Sequence, residues 1–331
     1  MSFIRHIYGQ AQPNVIAADR VDNDPQLSIA HRLQAAVSRF VDSQGKRKRK
    51  EDDRKSPSLA VAVVVEVEFT SPLVLLDVTF RVVKANNEGD YTGNEEIALS
   101  PLITASLWSD VEVQLNQTVL STRTGLYSYK SYIESVFLLP DAVRQTLDGL
   151  LGIFKDESGQ MNEWNTTKNS GLASRKTLPA GSAKMHFIHP LNADLFQQPR
   201  YIPPNCQLTI TLQPNNDSFR LLVKKPILPA PAPSPVVRIE SIKIIVRRVV
   251  ANEHLYLGIM NQLQRQPIRI PIRRTELRSF TCLTGTQNIT EHLIGTGGRI
   301  PSVVYLMAVK SHAQIGNYHL NPFAIESGEH I

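Results

Sequence analysis

Cysteine is nearly missing from this chain: Cys206 and Cys282 are the two it has, far apart and without the close spacing of a zinc or thiol-redox pair. That excludes a disulfide scaffold and leaves two reduced, partly buried thiols, the usage of a cytosolic or nuclear protein. Long apolar runs are missing too. No stretch approaches the roughly 20 residues that span a bilayer, and the opening MSFIRHIYGQ has no signal-peptide apolar core. The Asn-x-Thr sequons at Asn116, Asn165 and Asn288 are therefore read as bare. The parts that catalysis needs are equally scarce. In residues 182–222 no nucleophile stands paired with a base, and Gly295, Gly297 and Gly298 are followed by neither a lysine-serine pair nor a helix, so they cradle no phosphate. His186 and His189 form a His-x-x-His pair, whereas a metal-binding cupin needs a tighter His-x-His with a downstream Glu and a later His. These gaps argue against an enzyme and imply no cofactor and no metal.

What is present is an ordinary globular composition, 42% hydrophobic and 20% charged over 331 residues, enough for one large or two ordinary domains. The most orderly stretch is 182–222. Met185 to Ile188 reads as a short strand closed by Pro190, and Leu191 to Gln198 as about one helical turn broken by Pro199. After the turn at Pro203-Pro204-Asn205, Leu208, Ile210 and Leu212 alternate with Thr209, Thr211 and Gln213, the period of a half-buried strand. Asn215, Asn216 and Asp217 make a turn before Phe219, Leu221 and Leu222 re-enter a core. Strand, proline corner, strand is the grammar of a β-sandwich.

Residues 1–55 read differently, as an N-terminal arm. Asp24 can cap a helix with Pro25 at its first position, and Leu27, Ile29, Leu33, Ala36, Val37 and Phe40 recur at helical spacing. That amphipathic face can pack on its own sandwich, on a neighbouring subunit or on a membrane. Next comes a run of five cations, Lys46, Arg47, Lys48, Arg49 and Lys50, which must be solvated. It has the form of a nuclear import signal, suits nucleic-acid phosphates, and serves equally as a solvated linker.

Residues 56–223 read as a first β module. Val63, Val65, Val67 and Phe69 share one face, as do Val74, Leu76, Val78, Phe80 and Val82 in the next run. A short helix or corner over Leu102 to Trp108 leads to a strand with Val111, Val113 and Leu115 on one side and a turn at Asn116-Gln117. Tyr127 to Phe137 has helical spacing, and Asp141 can cap a further short helix through Leu151. Prolines 226, 229, 231, 233 and 235 make 224–235 a semi-stiff spacer, with an SH3-type ligand as its functional alternative. The second module, 236–331, opens on a strand with Ile242, Ile244 and Val246 together. It continues through a helix over Asn252 to Gln264, a strand from Arg273 to Cys282 and a buried strand from Val303 to Val309.

Three blocks of this sequence, in order, resemble the major capsid proteins of Polinton (Maverick) elements and related adintovirus-like viruses. The first carries Ser106, Leu107, Val111, Val113, Leu115 and Asn116, then Tyr129, Lys130, Tyr132, Ile133 and Glu134, then Phe154-Lys155-Asp156 and the loop from Gly159 to Glu163. The second carries Asp194, Leu195, Phe196, Tyr201, Leu208, Ile210, Asp217 and Phe219. The third carries Pro271-Ile272-Arg273-Arg274, Phe280, Arg299-Ile300-Pro301, Gly316-Asn317-Tyr318 and Asn321-Pro322-Phe323. Where the family has an acidic, asparagine-rich loop before the last motif, this chain has Lys310-Ser311-His312-Ala313-Gln314.

The resemblance implies a mainly β, double jelly-roll protein with short helices in its loops. It implies a structural role: a homotrimer that packs with neighbouring trimers into an icosahedral shell. Minor or penton capsid proteins would be further partners, the N-terminal arm would touch nucleic acid, and the sites would be the virion and the host nucleus. A jelly roll needs about eight strands, and about four follow the linker. Either the chain is a fragment or a degraded copy, or another segment covers the open sheet edges. The alternative reading is a host-domesticated or degraded jelly-roll module that binds glycan or nucleic acid and builds no shell.

Overall fold

The computed structural model describes residues 2–10, 14–15, 61–67, 70–85, 89–121, 123–138, 152–224, 234–282 and 301–324. The expected helix over residues 24–40, the basic run from Lys46 to Lys50, Asn288, the helix after Asp141, the proline spacer and the glycine loop lie outside them.

The chain is mainly β, in antiparallel sheets with short helices, as the alternating rows predict. Its strands are β1 (Ser2–Gln10), β2 (Asn14–Val15), β3 (Val61–Val67), β4 (Thr70–Lys84), β5 (Ile97–Leu99), β6 (Trp108–Leu115), β7 (Thr118–Val119), β8 (Met185–Pro190), β9 (Cys206–Pro214), β10 (Leu221–Val223), β11 (Pro235–Arg248), β12 (Arg269–Ile270), β13 (Arg273–Thr281) and β14 (Val303–Val309). The helices are α1 (Ile103–Ser106), α2 (Tyr127–Ile133), α3 (Ser170–Thr177), α4 (Asp217–Arg220), α5 (Glu253–Arg265) and α6 (Ser311–Ile315). None among the described residues is long and apolar enough to cross a membrane.

Two sheets supply the main core. One has the order β3-β9-β6-β7 and the other β11-β4-β8. The row Val74, Leu76, Val78, Phe80 and Val82 on β4 is fully buried, and it joins Leu208, Ile210 and Leu212 of β9 and Val111, Val113 and Leu115 of β6 in one apolar cluster. At about 25 cal/mol per Å² of apolar surface removed from water, such rows are the dominant stabilising term. Register follows from the same rows, because a slip of one residue would turn each of them to solvent. The β6–β7 hairpin closes on Asn116 and Gln117, both with positive φ, 47° and 66°. A two-residue loop of that hand matches the twist of its strands. The Asn116 side chain secures it by accepting a hydrogen bond from the Gln207 N–H (2.8 Å).

Two placements correct the reading from sequence. The strand after the proline spacer, assigned above to the second module, pairs with β4 over most of its length, so β11 belongs to the first sandwich. Its Ile242, Ile244 and Val246 are half-buried against that core. Pairing of distant strands is decided by complementary faces, and a division of the chain at a proline run does not register that. Second, Ser2–Gln10 is a strand. It lies between β13 and β14, antiparallel to both, and β2 extends the contact by pairing with β12.

β14 is not buried throughout. Met307, Ala308 and Val309 are inside, while Val303, Val304 and Leu306 are exposed, Leu306 to 64%. A run of seven largely apolar residues reads as buried on both faces; here Val303 and Val304 leave both faces of β14 open at its start, and Leu306 continues the open row on the Val304 side.

Candidate functional site

The residues that carry the resemblance converge on one junction between the first sandwich and the second sheet. α2 presents Tyr129 inward with 1% exposure, and Phe219 from α4 and Phe323 from the Asn-Pro-Phe segment close on it. Tyr129 meets Phe219 edge-on at 5.7 Å and Phe323 at 5.3 Å, and Tyr132 stacks on Phe323 at 4.5 Å. Edge-on and offset rings are the favoured arrangements, each contributing about 0.5–1.5 kcal/mol beyond area. Leu277, Met307 and Val309 of the second sheet complete the cluster. The Tyr129 hydroxyl donates to the carbonyl of Pro322 (3.0 Å), and burial pushes its pKa well above the usual phenol range. These rings come from three separate blocks of sequence.

Beside the rings lies an ionic group. Lys130 is largely buried, its side chain 13% exposed, with its ammonium on Asp194, and Glu134, one helical turn on, stands 3.9 Å away. Burial pulls Lys130 toward neutrality, but Asp194 and Glu134 outweigh it and hold the pKa above the ordinary lysine value. Both carboxylates are further occupied: Asp194 Oδ2 accepts the Thr275 N–H of β13 (2.9 Å), and Glu134 Oε2 accepts from Gln197 (2.8 Å). Asp194 thus joins the first module to the second sheet through one side chain. A buried charge is tolerated only when its partners are this complete.

A third contact ties the acidic loop to the C-terminal motif. Arg175 of α3 is fully buried; its guanidinium donates to the carbonyls of Leu99 (2.9 Å) and Phe154 (2.6 Å) and to Asp156 Oδ1 (2.7 Å). The other oxygen of Asp156 accepts from Asn321 Nδ2 (3.0 Å), and Asn321 Oδ1 accepts the Phe323 N–H (3.0 Å). α3 can press so close because residue 171 is glycine: a Cβ there would stand 2.3 Å from the Lys155 carbonyl oxygen. Sequence reading missed Arg175 altogether, since Ser-Arg-Lys in a polar stretch looks like solvated charge; a buried partner loop is visible only in three dimensions. Asp217, the last motif acid, accepts from the β11 N–H of Val237 (3.0 Å) and from Arg220 (3.2 Å).

Leu107, Val111, Val113, Leu115 and Phe196 are core, and Asn116 is the hairpin turn. Tyr201 is 51% exposed and outside the junction, and Arg273 and Arg274 are exposed on β13. Arg274 borders a cavity of about 380 Å³ between β13 and the first sandwich, lined also by Asp110, Lys130, Asp194, Thr275 and Arg278. Asp110 there accepts the backbone N–H of Thr124 and Gly125, and burial raises its pKa.

His186 and His189 lie three apart on β8 and so face opposite sides of the sheet. His186 is exposed and bonded to Asp77 (2.8 Å), while His189 is buried, its Nδ1 on the Pro190 carbonyl (2.9 Å). They do not converge on a common point.

No family model matches the chain. It is 23% identical over 229 residues to a curated Caenorhabditis elegans protein described as uncharacterized, which covers 67% of this chain and 50% of that protein. The chain thus spans half the length of that relative. Among solved structures, the Sputnik virophage structure obtained by cryo-EM aligns over 60% of this chain and 49% of the matched one, with TM-score 0.41 and 11% identity. The mavirus major capsid protein aligns over 72% and 55%, with TM-score 0.37 and 12% identity.

Proposed function

We propose that this chain is a structural building block that acts by binding copies of itself, a capsid-type protein of a Polinton-like double-stranded DNA element. The observation that carries the reading is the junction. Motif residues from three separated blocks meet in one contact set, the buried Tyr129, Phe219 and Phe323 with the half-buried Tyr132, flanked by Lys130 with Asp194 and by Asp156 with Asn321. Residues that resemble a family's by chance would have no reason to touch. In a double jelly-roll such a junction fixes the angle between two modules, and that angle decides whether subunits close symmetrically.

On this reading three copies form a trimer, trimers pack into an icosahedral shell, and minor or penton proteins fill the remaining positions. Lys46 to Lys50 serve nuclear import or contact packaged nucleic acid, so the protein works in the virion and the host nucleus. Size-exclusion chromatography with light scattering, followed by electron microscopy, tests it: trimers or shells are expected. A second reading, a glycan- or nucleic-acid-binding module that builds no shell, is favoured by the polar cavity at Asp110, Lys130 and Arg274. A stable monomer that binds a glycan array would establish that reading instead.

A further inference from the structure

The strand β1 is the central member of its sheet, yet it comes from the far end of the chain. Its nine residues pair with β13 from Ser2↔Thr281 to Gln10↔Arg273, and seven of them pair with β14 from Ser2↔Val309 to Tyr8↔Val303. β13 and β14 do not pair with each other. Without β1 they would border a slot two strand spacings wide, about 9.5 Å, with an open hydrogen-bonding edge on either side. Ser2, Ile4 and His6 stand in register with the buried Val309, Met307 and Leu277, and Phe3 and Tyr8 with the buried Ala308 and Thr275, so β1 runs along the buried positions of both strands.

We propose that this slot is a docking site for β1 of a second copy of the chain, so that copies are joined by exchange of their N-terminal strands. The ladder is the same whichever copy donates the strand, so exchange sacrifices no hydrogen bond. Reach is not limiting. Residues 16–60 separate β2 from β3, and at roughly 3.3 Å per residue they extend to about 150 Å. A folded chain of this length is about 50 Å across. A neighbour's slot is therefore within the strand's range, and packing subunits together raises the local concentration of slots. The inference deepens the self-assembly reading by naming the joint, and it can hold where that reading fails.

The test uses full-length chain with Cys206→Ala and Cys282→Ser, to which one register pair is added. Arg5 faces Leu306 across β1 and β14, close enough for a disulfide between opposed strand positions. Arg5→Cys and Leu306→Cys chains, differently tagged, are purified apart, mixed at assembly concentration and oxidised. The expected result is a covalent heterodimer that is absent when Arg5→Cys is mixed with Lys243→Cys, a position on the first sandwich. The double variant is then expected to give mainly covalent oligomers. If the double variant closes only within single chains and the mixed singles stay monomeric, the inference is overturned. Exchange without trimers or shells would retain the inference and remove the capsid reading; shells with only intrachain closure would do the reverse.

Discussion

The first sandwich and the second sheet are held by different physics. In the first, Val74, Leu76, Val78, Phe80 and Val82 are fully buried in a row that faces equally dry rows of β6 and β9. Its cohesion is spread over many non-directional contacts, and no single atom decides it. In the second sheet β13 and β14 bury Thr275, Leu277, Met307, Ala308 and Val309, while Val303, Val304 and Leu306 are exposed. It is positioned by a few directed contacts, among them the Thr275 bond to Asp194 and the packing of Leu277, Met307 and Val309 on the Tyr129 rings. Distributed burial makes a region durable, whereas point contacts make it orientable, and orientation is what an assembling subunit must control.

The comparison breaks most sharply at Asp156. Asp156→Ala strips the fully buried Arg175 guanidinium of its counter-charge and Asn321 Nδ2 of an acceptor. Leaving a buried charge unpaired costs about 3–5 kcal/mol; urea denaturation is expected to show that loss. A value near that of a surface substitution would mean the point contacts do not hold the junction.

Next in size is a pH effect on the first sandwich. His189 on β8 is 3% exposed, its Nε2 has no hydrogen-bond partner among the described residues, and burial lowers its pKa to about 4. The unfolded chain takes up this proton near pH 6.5, the folded one only near 4, so between those values the unfolded state binds more protons. Stability is complete above about pH 6.5 and falls by up to about 3 kcal/mol as pH drops through about 4. His189→Leu is expected to flatten this part of the stability profile measured by denaturation from pH 7 to 4. Smaller again is Tyr129→Phe, which keeps the ring cluster and removes one hydrogen bond to a buried carbonyl. About 1–2 kcal/mol is expected, with the hydrogen-exchange protection of α2 reduced and that of β4 unchanged.

The same contrast explains which parts could be read from sequence. Rows such as Leu208, Ile210 and Leu212, or Val74 to Val82, declare a strand and its inner face together, because one side meets oil and the other water. β1 gives no such sign. In Phe3-Ile4-Arg5-His6-Ile7-Tyr8 both alternate sets mix apolar with charged or polar residues, so the period cancels, and only the slot between β13 and β14 selects a strand there. The strand assignment of β11 was legible from Ile242, Ile244 and Val246, but its partner was not, since β4 lies far back in the chain. At the junction, Tyr129, Asp194, Phe219 and Phe323 were found through resemblance, and nothing in their spacing announces that they touch. Arg175 had no signal of either kind, because a cation's burial depends on the loop that receives it.

The smallest effect on the folded chain is the most informative about what the open face is for. Leu306 is 64% exposed, so Leu306→Ser removes little buried surface and is expected to change the stability of the isolated chain by no more than about 0.5 kcal/mol. The same change at Ile210, which is fully buried in the first sandwich, is expected to cost several kcal/mol through lost burial and an unpaired hydroxyl, ~3 or more. If the open face is covered by neighbouring copies, Leu306→Ser must lower self-association in sedimentation velocity while leaving the denaturation midpoint in place. A Leu306→Ser chain that associates like the parent would show that the exposed row is ordinary surface, and the second sheet would then owe its place in any assembly to its edges alone.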